Sequence, residues 1–206
     1  GVGNIITMIT RGEQWGVPTK RTLDDVVITG DYELATSSNN HRLIVRTGDI
    51  AHSLGDPVSP EVGASCIEVP IDALRVGISM RDGSSMSLLA SSHVMIGRWL
   101  HGRLVCINNA GFVGSKNVSP RAHPNEGFFD VMTLQPSMGL QQRVRARHKS
   151  TLGTHTPHPL LETTRSRSVE YSSVSRSEVL RVDGRRIASW SAVQVEIVPD
   201  YWRLLV

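Results

Sequence analysis

The sequence alternates short apolar, β-rich runs with clusters of turn residues, and this pattern limits the fold more than any other feature. Nine runs are candidate strands: residues 26–29, 43–45, 74–78, 87–96, 104–107, 128–134, 169–174, 193–198 and 202–206. Two breaks contain Asp-Gly pairs, Asp82-Gly83 and Asp183-Gly184, which favour tight β-hairpins. Many short strands with few helical stretches predict a mainly β fold, a two-layer β-sandwich with one or two short helices.

Two segments are candidate helices. Residues 5–15 carry apolar side chains at helical spacing, and glycine and proline follow them. Residues 141–150 form a second candidate helix, which is mostly basic. The serine-rich residues 166–177 are interrupted by strand-forming side chains, so we interpret them as an exposed strand rather than a linker. We therefore expect one domain over residues 1–206.

Composition excludes several classes of protein. The chain of 206 residues is 39% hydrophobic and 20% charged, which is typical of a folded domain with a sizeable core. No run approaches the roughly 20 apolar residues of a membrane span, and no cationic leader precedes an apolar stretch. Cys66 and Cys106 lack CxxC spacing, so we expect buried thiols in a reducing compartment, without a disulfide or a zinc site. A cytoplasmic protein is the expectation.

Charge is distributed unevenly along the chain. Residues 141–206 carry 11 basic against 6 acidic residues, whereas residues 1–140 carry 11 against 13. This polarity fits an anionic partner such as a phospholipid surface, a phosphate ester or nucleic acid. A solvated basic face is the favoured interpretation for a net charge of only +3. The basic run over residues 143–149 has no interleaved aromatic residue for base stacking, which disfavours nucleic acid.

The densest cluster of glycine and polar residues lies at residues 108–130, with the sequence NNAGFVGSKNVSPRAHPNEGFFD. Gly111 and Gly114 permit close approach of a ligand to the backbone, and Pro120 and Pro124 stiffen the loop. Two interpretations stay open: a ligand-binding loop, or a structural crossover whose polar side chains satisfy their own backbone. The loop lacks the GxxxxGK[ST] spacing, so it does not predict a nucleotide phosphate site.

His155 and His158 form an isolated H-x-x-H pair. A metal site needs further convergent ligands, so a histidine that orders its loop through hydrogen bonds is favoured. No GxSxG motif accompanies the many serines, and a hydrolase is not predicted.

Several motifs follow one another from Cys106 onward. They are an asparagine-ended strand at Asn108 or Asn109, a turn with Gly111 and Gly114, a P-x-A segment at Pro120 and Ala122, Glu126-Gly127, Gly153-Thr154-His155, and Val182-Asp183-Gly184. In this order they resemble the C-terminal, β-rich domain of the diacylglycerol kinase and sphingosine kinase superfamily of lipid kinases, which is related to the NAD kinases. The resemblance covers roughly residues 65–206, and residues 1–64 would add the first helix and further strands.

The resemblance also implies what this chain lacks. The family's nucleotide-binding domain carries a GGDGT motif, which does not occur here, and residues 1–64 are too few for that domain. The family's catalytic base follows the C-terminal Asp-Gly, where this sequence has Arg185. An arginine side chain stays protonated and cannot accept a proton. Glu126 replaces the aspartate near which some members bind a structural Mg²⁺, so it is the one metal candidate, and no other cofactor is expected.

From these features we expect a lipid-kinase-like module that is not active as a kinase alone, because phosphoryl transfer depends on positioning the nucleotide and neutralising its charge. It would bind a lipid or another phosphate-bearing ligand, or regulate a partner, in the cytoplasm or at the membrane periphery. Two alternatives stay open: a kinase completed in trans by a chain with the nucleotide-binding domain, and a structural homo-oligomer. The candidate ligand-binding residues are Asn109, Gly111, Gly114, Asn117, Arg121, His123 and His155, with Arg121 pairing with a phosphate.

Overall fold

The computed structural model of the protein describes residues 15–156 and 158–206. The strands in these ranges are β1 (Val17–Lys20), β2 (Val26–Ile28), β3 (Arg42–Val45), β4 (Ser65–Met80), β5 (Ser85–Ala90), β6 (His93–Gly97), β7 (Leu104–Asn108), β8 (Phe112–Val113), β9 (Lys116–Asn117), β10 (Phe129–Leu134), β11 (Leu161–Ser166), β12 (Ser168–Ser172), β13 (Leu180–Val182), β14 (Arg185–Ile187) and β15 (Trp190–Leu205). The helices are α1 (Asp31–Thr36), α2 (Asp49–Ser53) and α3 (Leu140–Lys149), and a 3₁₀ turn, η1, spans Ser150–Leu152.

Two sheets form the body of the described structure. A seven-stranded sheet has the order β1-β4-β15-β3-β2, with β5 added beside β4 and β12 beside β15. A six-stranded sheet has the order β11-β10-β7-β6-β13-β14. Apolar side chains from both sheets pack together between them, so the predicted mainly β sandwich is confirmed.

The strands β4 and β15 organise the larger sheet. Each has 16 residues, and they pair antiparallel over nearly their whole length. One half of this ribbon is flanked by β1 and β3, and the other half by β5 and β12. The register shifts between Val198 and Trp202, where Asp200 has a φ of 51°. This bulge divides the ribbon into two halves that face different cores.

Side-chain alternation explains why the six-stranded sheet is buried on both faces. On β7, Val105 and Ile107 point into the core between the sheets, whereas Leu104 and Cys106 point to the opposite face. Successive side chains of a strand alternate between faces, so an apolar run such as LVCIN needs a cover on each side. The second cover is α3, which contributes Ala146 to the outer core.

A third core lies under the other half of the ribbon. There, Val69 and Ile71 of β4 and Trp202 of β15 pack with Leu34 of α1 and Ile50 of α2. The two short helices therefore sit against the ribbon.

Several elements differ from the sequence-based expectation. Residues 87–96 were expected as one strand but form β5 and β6, with a break at Ser91 and Ser92. Residues 193–198 and 202–206 were expected as two strands, whereas Trp190–Leu205 forms the single strand β15. The basic helix over residues 141–150 is confirmed as α3.

The described residues contain three α-helices rather than one or two. The short helices α1 and α2 span six and five residues, which is too short to produce a helical repeat in the sequence. The helix expected at residues 5–15 falls outside the described residues, apart from Trp15.

Candidate ligand-binding site

The Asp183-Gly184 turn, which joins β13 to β14, is anchored through the carboxylate of Asp183. One carboxylate oxygen accepts a hydrogen bond from the main-chain N–H of Ser91 at 2.7 Å. The other accepts from the N–H groups of Ser92 at 3.0 Å and His93 at 2.9 Å. This carboxylate satisfies the main-chain donors exposed by the break between β5 and β6, so it acts as a structural cap for that break.

Buried charged groups connect this turn to the two short helices. The Nδ1 atom of His93 lies 3.0 Å from the Asp49 carboxylate. Burial disfavours the charged imidazole, but the hydrogen bond to Asp49 and the nearby carboxylates outweigh it and raise the pKa of His93. The Asp31 carboxylate accepts the N–H groups of Asp49 and Ile50 at 2.6 and 3.0 Å. Burial raises the pKa of Asp31 to about 6, and the N–H donors oppose this shift.

Arg185 follows the turn directly and borders a cleft. Its guanidinium carbon lies 4.4 Å from the centroid of the Tyr32 ring, a cation–π contact between β14 and α1. The cleft has a volume of about 340 Å³, and most of its lining is apolar, including Met86, Leu88 and Ile187. Among residues 15–156 and 158–206, no carboxylate forms an ion pair with Arg185. Asp183 also lines this cleft, and its carboxylate accepts the N–H groups of Ser91, Ser92 and His93. The cleft therefore combines apolar walls with Arg185, which has no ion-pair partner in the described structure.

Three of the sequence-predicted ligand residues make internal hydrogen bonds. Asn109 is fully buried, and its side-chain amide donates to two main-chain carbonyls. The N–H of Gly111 donates to the Ser53 hydroxyl at 3.2 Å, and the N–H of Gly114 donates to the Asp49 carboxylate at 2.6 Å. These contacts attach the beginning of the loop to α2, as the structural interpretation of this loop expects.

The end of the same loop borders a second cleft, which contains Arg121. Its volume is about 450 Å³, and it is lined by Val118, Ser119, Pro120, Arg121, Asp130, Gly153, Thr156 and Thr163. Arg121 is exposed, while the Asp130 carboxylate lies 3.1 Å from the Arg165 guanidinium. The guanidinium of Arg121 and the hydroxyl groups of Thr156 and Thr163 are donors suited to an anion.

Two further candidate residues adjoin this second cleft, and a third contacts a different partner. The Nε2 of His155 donates to the carbonyl of Val118 at 3.0 Å, while its buried Nδ1 has no partner within the described ranges. Burial lowers the pKa of His155, although that hydrogen bond opposes the shift. Asn117 lies beside Gly153, and its buried Oδ1 also lacks a partner among the residues described. His123 instead packs edge-on against Trp15, with ring centroids 4.6 Å apart.

The surroundings of Glu126 fit an ion pair and do not fit Mg²⁺. Its carboxylate lies 2.8 Å from the guanidinium of Arg165, which also contacts Asp130. Burial raises the pKa of Glu126, and the charge of Arg165 opposes the shift. His158 makes a local contact, in which its Nδ1 accepts the N–H of the nearby Leu160 at 3.1 Å. Within the described part of the chain, no group of three His, Cys, Asp or Glu side chains is arranged to hold a metal ion.

A buried polar cluster surrounds Asp72 and was not predicted from the sequence. The Asp72 carboxylate accepts hydrogen bonds from the N–H groups of Asp200 at 2.9 Å and Gly127 at 2.8 Å, and from the Asn125 amide at 3.2 Å. Burial raises the pKa of Asp72 to about 6, against the effect of these donors. The signal in the sequence is an acidic residue within the apolar run of β4. The cluster attaches the end of the loop to the bulge of β15.

One arginine of the basic helix α3 has a structural role. Arg143 is only 1% exposed, and its guanidinium donates to the carbonyls of Met138 at 2.8 Å, Gln135 at 2.9 Å and Gly102 at 2.6 Å. The other basic residues of α3 are exposed. Among the helices that the structure describes, none has the length and apolar character needed to cross a bilayer.

The sequence of residues 82–206 matches the family described as the YegS C-terminal NAD kinase beta sandwich-like domain. The match spans more than half of the chain, so the chain belongs to this family. The resemblance to the lipid kinase and NAD kinase superfamily that the loop and turn motifs indicated is thereby confirmed. No curated protein matches the sequence.

The fold is similar to those of two kinds of kinase. Two solved structures of a candidate diacylglycerol kinase from Bacillus anthracis str. Sterne each give a TM-score of 0.55 at 11% identity, covering 88% of this chain and 77% of that chain. A structure of yeast NADH kinase complexed with NADH gives a TM-score of 0.51 at 10% identity, covering 88% of this chain and 60% of the yeast chain. At these identities the likeness concerns the fold alone.

Proposed function

We propose that this chain is a lipid-kinase-like module that binds a phosphate-bearing ligand, a lipid phosphate above all, without transferring phosphate by itself. The proposal is based on the position of Arg185. This residue follows the Asp183-Gly184 turn, where the family resemblance implies a catalytic base. Arg185 borders an apolar cleft and has no carboxylate partner in the described structure. A cation at this position attracts an anionic group and cannot remove a hydroxyl proton.

The dimensions and chemistry of the Arg185 cleft support an amphiphilic ligand. Its volume of about 340 Å³ lies in the range of small-molecule sites. A guanidinium can form two parallel hydrogen bonds to a phosphate, and the apolar side chains around it can cover a short hydrocarbon segment. Each methylene that the walls remove from water contributes about 0.8 kcal/mol to binding.

The Arg121 cleft offers the same anion chemistry at a second location. Its lining combines Arg121 with the hydroxyl groups of Thr156 and Thr163, and His155 lies beside it. This lining supports a phosphate on a more polar molecule. The two clefts can be separated by mutating each arginine alone.

The test is calorimetric titration with dihexanoyl phosphatidic acid, used as a soluble monomer, and with dihexanoylglycerol as the phosphate-free control. Hydrogen bonds to charged groups contribute about 1.5–3 kcal/mol, so Arg185→Ala should weaken phosphatidic acid binding by about 10-fold to 100-fold. Arg121→Ala tests the second cleft in the same way, and Arg46→Ala serves as an exposed control. Equal affinity for both ligands, or unchanged affinity in both variants, would contradict the proposal.

Two other functions lead to different results in simple experiments. A kinase completed in trans, which draws support from the likeness to a candidate diacylglycerol kinase, predicts co-purification of a GGDGT-containing chain and phosphorylation of diacylglycerol by the mixture. A structural homo-oligomer, which would pair exposed strand edges such as β5 or β12, predicts a multimeric mass at micromolar protein concentration.

A further inference from the structure

The exposed side of α3 presents positive charge that forms no ion pair with a carboxylate in the part of the chain that the structure describes. Arg145, Arg147 and Lys149 are all exposed, and α3 contains no acidic residue. None of these three side chains forms an ion pair with another described residue. Other arginines behave differently: Arg165 contacts two carboxylates, and Arg203 lies 3.8 Å from Glu68.

Exposed apolar side chains lie on and beside the same helix. Leu140 is 61% exposed and Val144 is 51% exposed on α3, and Leu152 at the end of η1 is 77% exposed. Val144 and Leu100 line a groove of about 350 Å³ together with Lys116, Arg147 and His148. The groove contains leucine and valine among cations, and its lining has no tryptophan, tyrosine or phenylalanine on which bases could stack. This composition fits the charged surface and apolar interior of a lipid layer better than it fits nucleic acid.

From these observations we propose that this surface docks the protein on an anionic lipid bilayer. We call it the α3 surface and define it by Lys116, Leu140, Val144, Arg145, Arg147 and Lys149. Its cations contact anionic headgroups, and Leu140 and Val144 enter the boundary between headgroups and acyl chains. The inference rests on the proposed function only in assuming that the lipid is anionic. The α3 surface includes none of the residues that line the Arg185 cleft.

The α3 surface is connected to the Arg121 cleft by two short segments. The 3₁₀ turn η1 leads from α3 to Gly153, and β9 leads from Lys116 towards Val118, and both Gly153 and Val118 line that cleft. The Nζ of Lys116 also donates to the Thr151 hydroxyl at 2.7 Å, which joins the two segments. Docking through the α3 surface would bring the Arg121 cleft close to the lipid phosphates.

The experiment is co-sedimentation of the full chain with vesicles of phosphatidylcholine, with and without phosphatidylglycerol. Each basic residue near an anionic surface strengthens binding by about five-fold, so the triple variant R145Q/R147Q/K149Q should lower the partition coefficient by about 100-fold. The matched control R46Q/R176Q/R186Q removes the same charge from exposed arginines elsewhere and should bind as the wild type does. Binding should also weaken between about 0.1 M and about 1 M salt.

A second variant tests the apolar contribution. Leu140→Gln combined with Val144→Gln should weaken partition by about 10-fold while retaining the wild-type circular dichroism spectrum. The proposal is overturned if the wild type ignores anionic vesicles at low salt, or if the control triple loses as much binding as the α3 triple. It is also overturned if the wild type binds polyuridylate more tightly than the vesicles.

The proposals for the α3 surface and for the Arg185 cleft can be tested independently. The α3 triple variant should still bind soluble dihexanoyl phosphatidic acid with wild-type affinity at the Arg185 cleft. Arg185→Ala should bind that soluble ligand about 10-fold to 100-fold more weakly but keep its partition into anionic vesicles. Loss of both activities in either variant would contradict the separation of the two surfaces.

Discussion

Asp183 and His93 are joined by two reciprocal hydrogen bonds. The N–H of Asp183 donates to the carbonyl of His93 at 3.0 Å, and the Asp183 carboxylate accepts the N–H of His93 at 2.9 Å. The same carboxylate also receives two serine N–H groups from the break between β5 and β6. The aspartate of this Asp-Gly turn therefore has a structural role that does not depend on the residue after the turn.

Asp183→Ala should lower the free energy of unfolding by about 3 kcal/mol, because three main-chain donors lose a charged acceptor. The φ of 43° at Asp183 adds to the loss, since alanine disfavours this left-handed region. Urea denaturation measures the change. Asp82→Ala in the exposed Asp-Gly turn after β4 is the control and should lose less stability. Equal losses would contradict the capping role of Asp183.

Arg143→Met and Arg145→Met should differ sharply, although both remove one charge from α3. The first change leaves several main-chain carbonyls without a donor in a buried position, and should lower the free energy of unfolding by about 3 kcal/mol or more. The second lies at an exposed position and should change it by about 0.5 kcal/mol at most. Denaturant midpoints of the two variants, measured side by side, test this. Similar midpoints would show that Arg143 contributes no more than its charge.

Asp72→Asn should change how stability depends on pH. Burial raises the pKa of Asp72 to about 6 from an ordinary value of 3.8, so the folded protein binds this proton more tightly than the unfolded chain. The contribution of Asp72 to stability is therefore greatest at low pH and is lost as the pH rises through about 6. Between about pH 5 and pH 7 the loss is about 1 kcal/mol, which Asp72→Asn should remove.

Chemical denaturation of the wild type and the Asp72 variant at both pH values gives this difference directly. Asp24→Asn, which changes an exposed carboxyl, is the control and should keep the wild-type dependence. If Asp72→Asn also keeps it, the buried carboxyl does not bind the additional proton.

His155→Phe should lower the melting temperature by about 5 °C, because the Val118 carbonyl loses its donor in a buried position. His155→Gln can still donate a hydrogen bond and should lose less. Burial lowers the pKa of His155, so its contribution to stability is present above about pH 6.5 and is lost as the pH falls through the folded-state pKa. Scanning calorimetry at two pH values measures both effects. A Phe variant as stable as the wild type would rule out the Val118 hydrogen bond as a constraint on the loop.

The strand-and-turn pattern predicted the fold class because strands and tight turns are determined mainly by residues that are close together in the sequence. The short apolar run of β7 and the two Asp-Gly turns can be seen within a few residues of sequence. The break between β5 and β6 could not be predicted in this way. Ser91 and Ser92 are compatible with a strand, and their N–H groups are satisfied by Asp183, which is 92 residues away from Ser91 in the chain.

The candidate site was predictable to a similar extent. Asn117, Arg121 and His155 adjoin one cleft, as their motifs suggested, because the loop and the segment after α3 converge there. The glycines that suggested close ligand approach instead position donors for Ser53 and Asp49. Arg185 was visible in the sequence at the position where the family resemblance implies a catalytic base. Its contact with Tyr32 was not, because it joins residues from distant parts of the chain.

The pairing of β4 with β15 has a consequence for how the protein unfolds. Both strands supply side chains to the core between the sheets and to the core under α1 and α2. Separation of these two strands would expose both cores to water at once. Slowly exchanging amide protons in both cores should therefore exchange with solvent at one common rate, that of global unfolding.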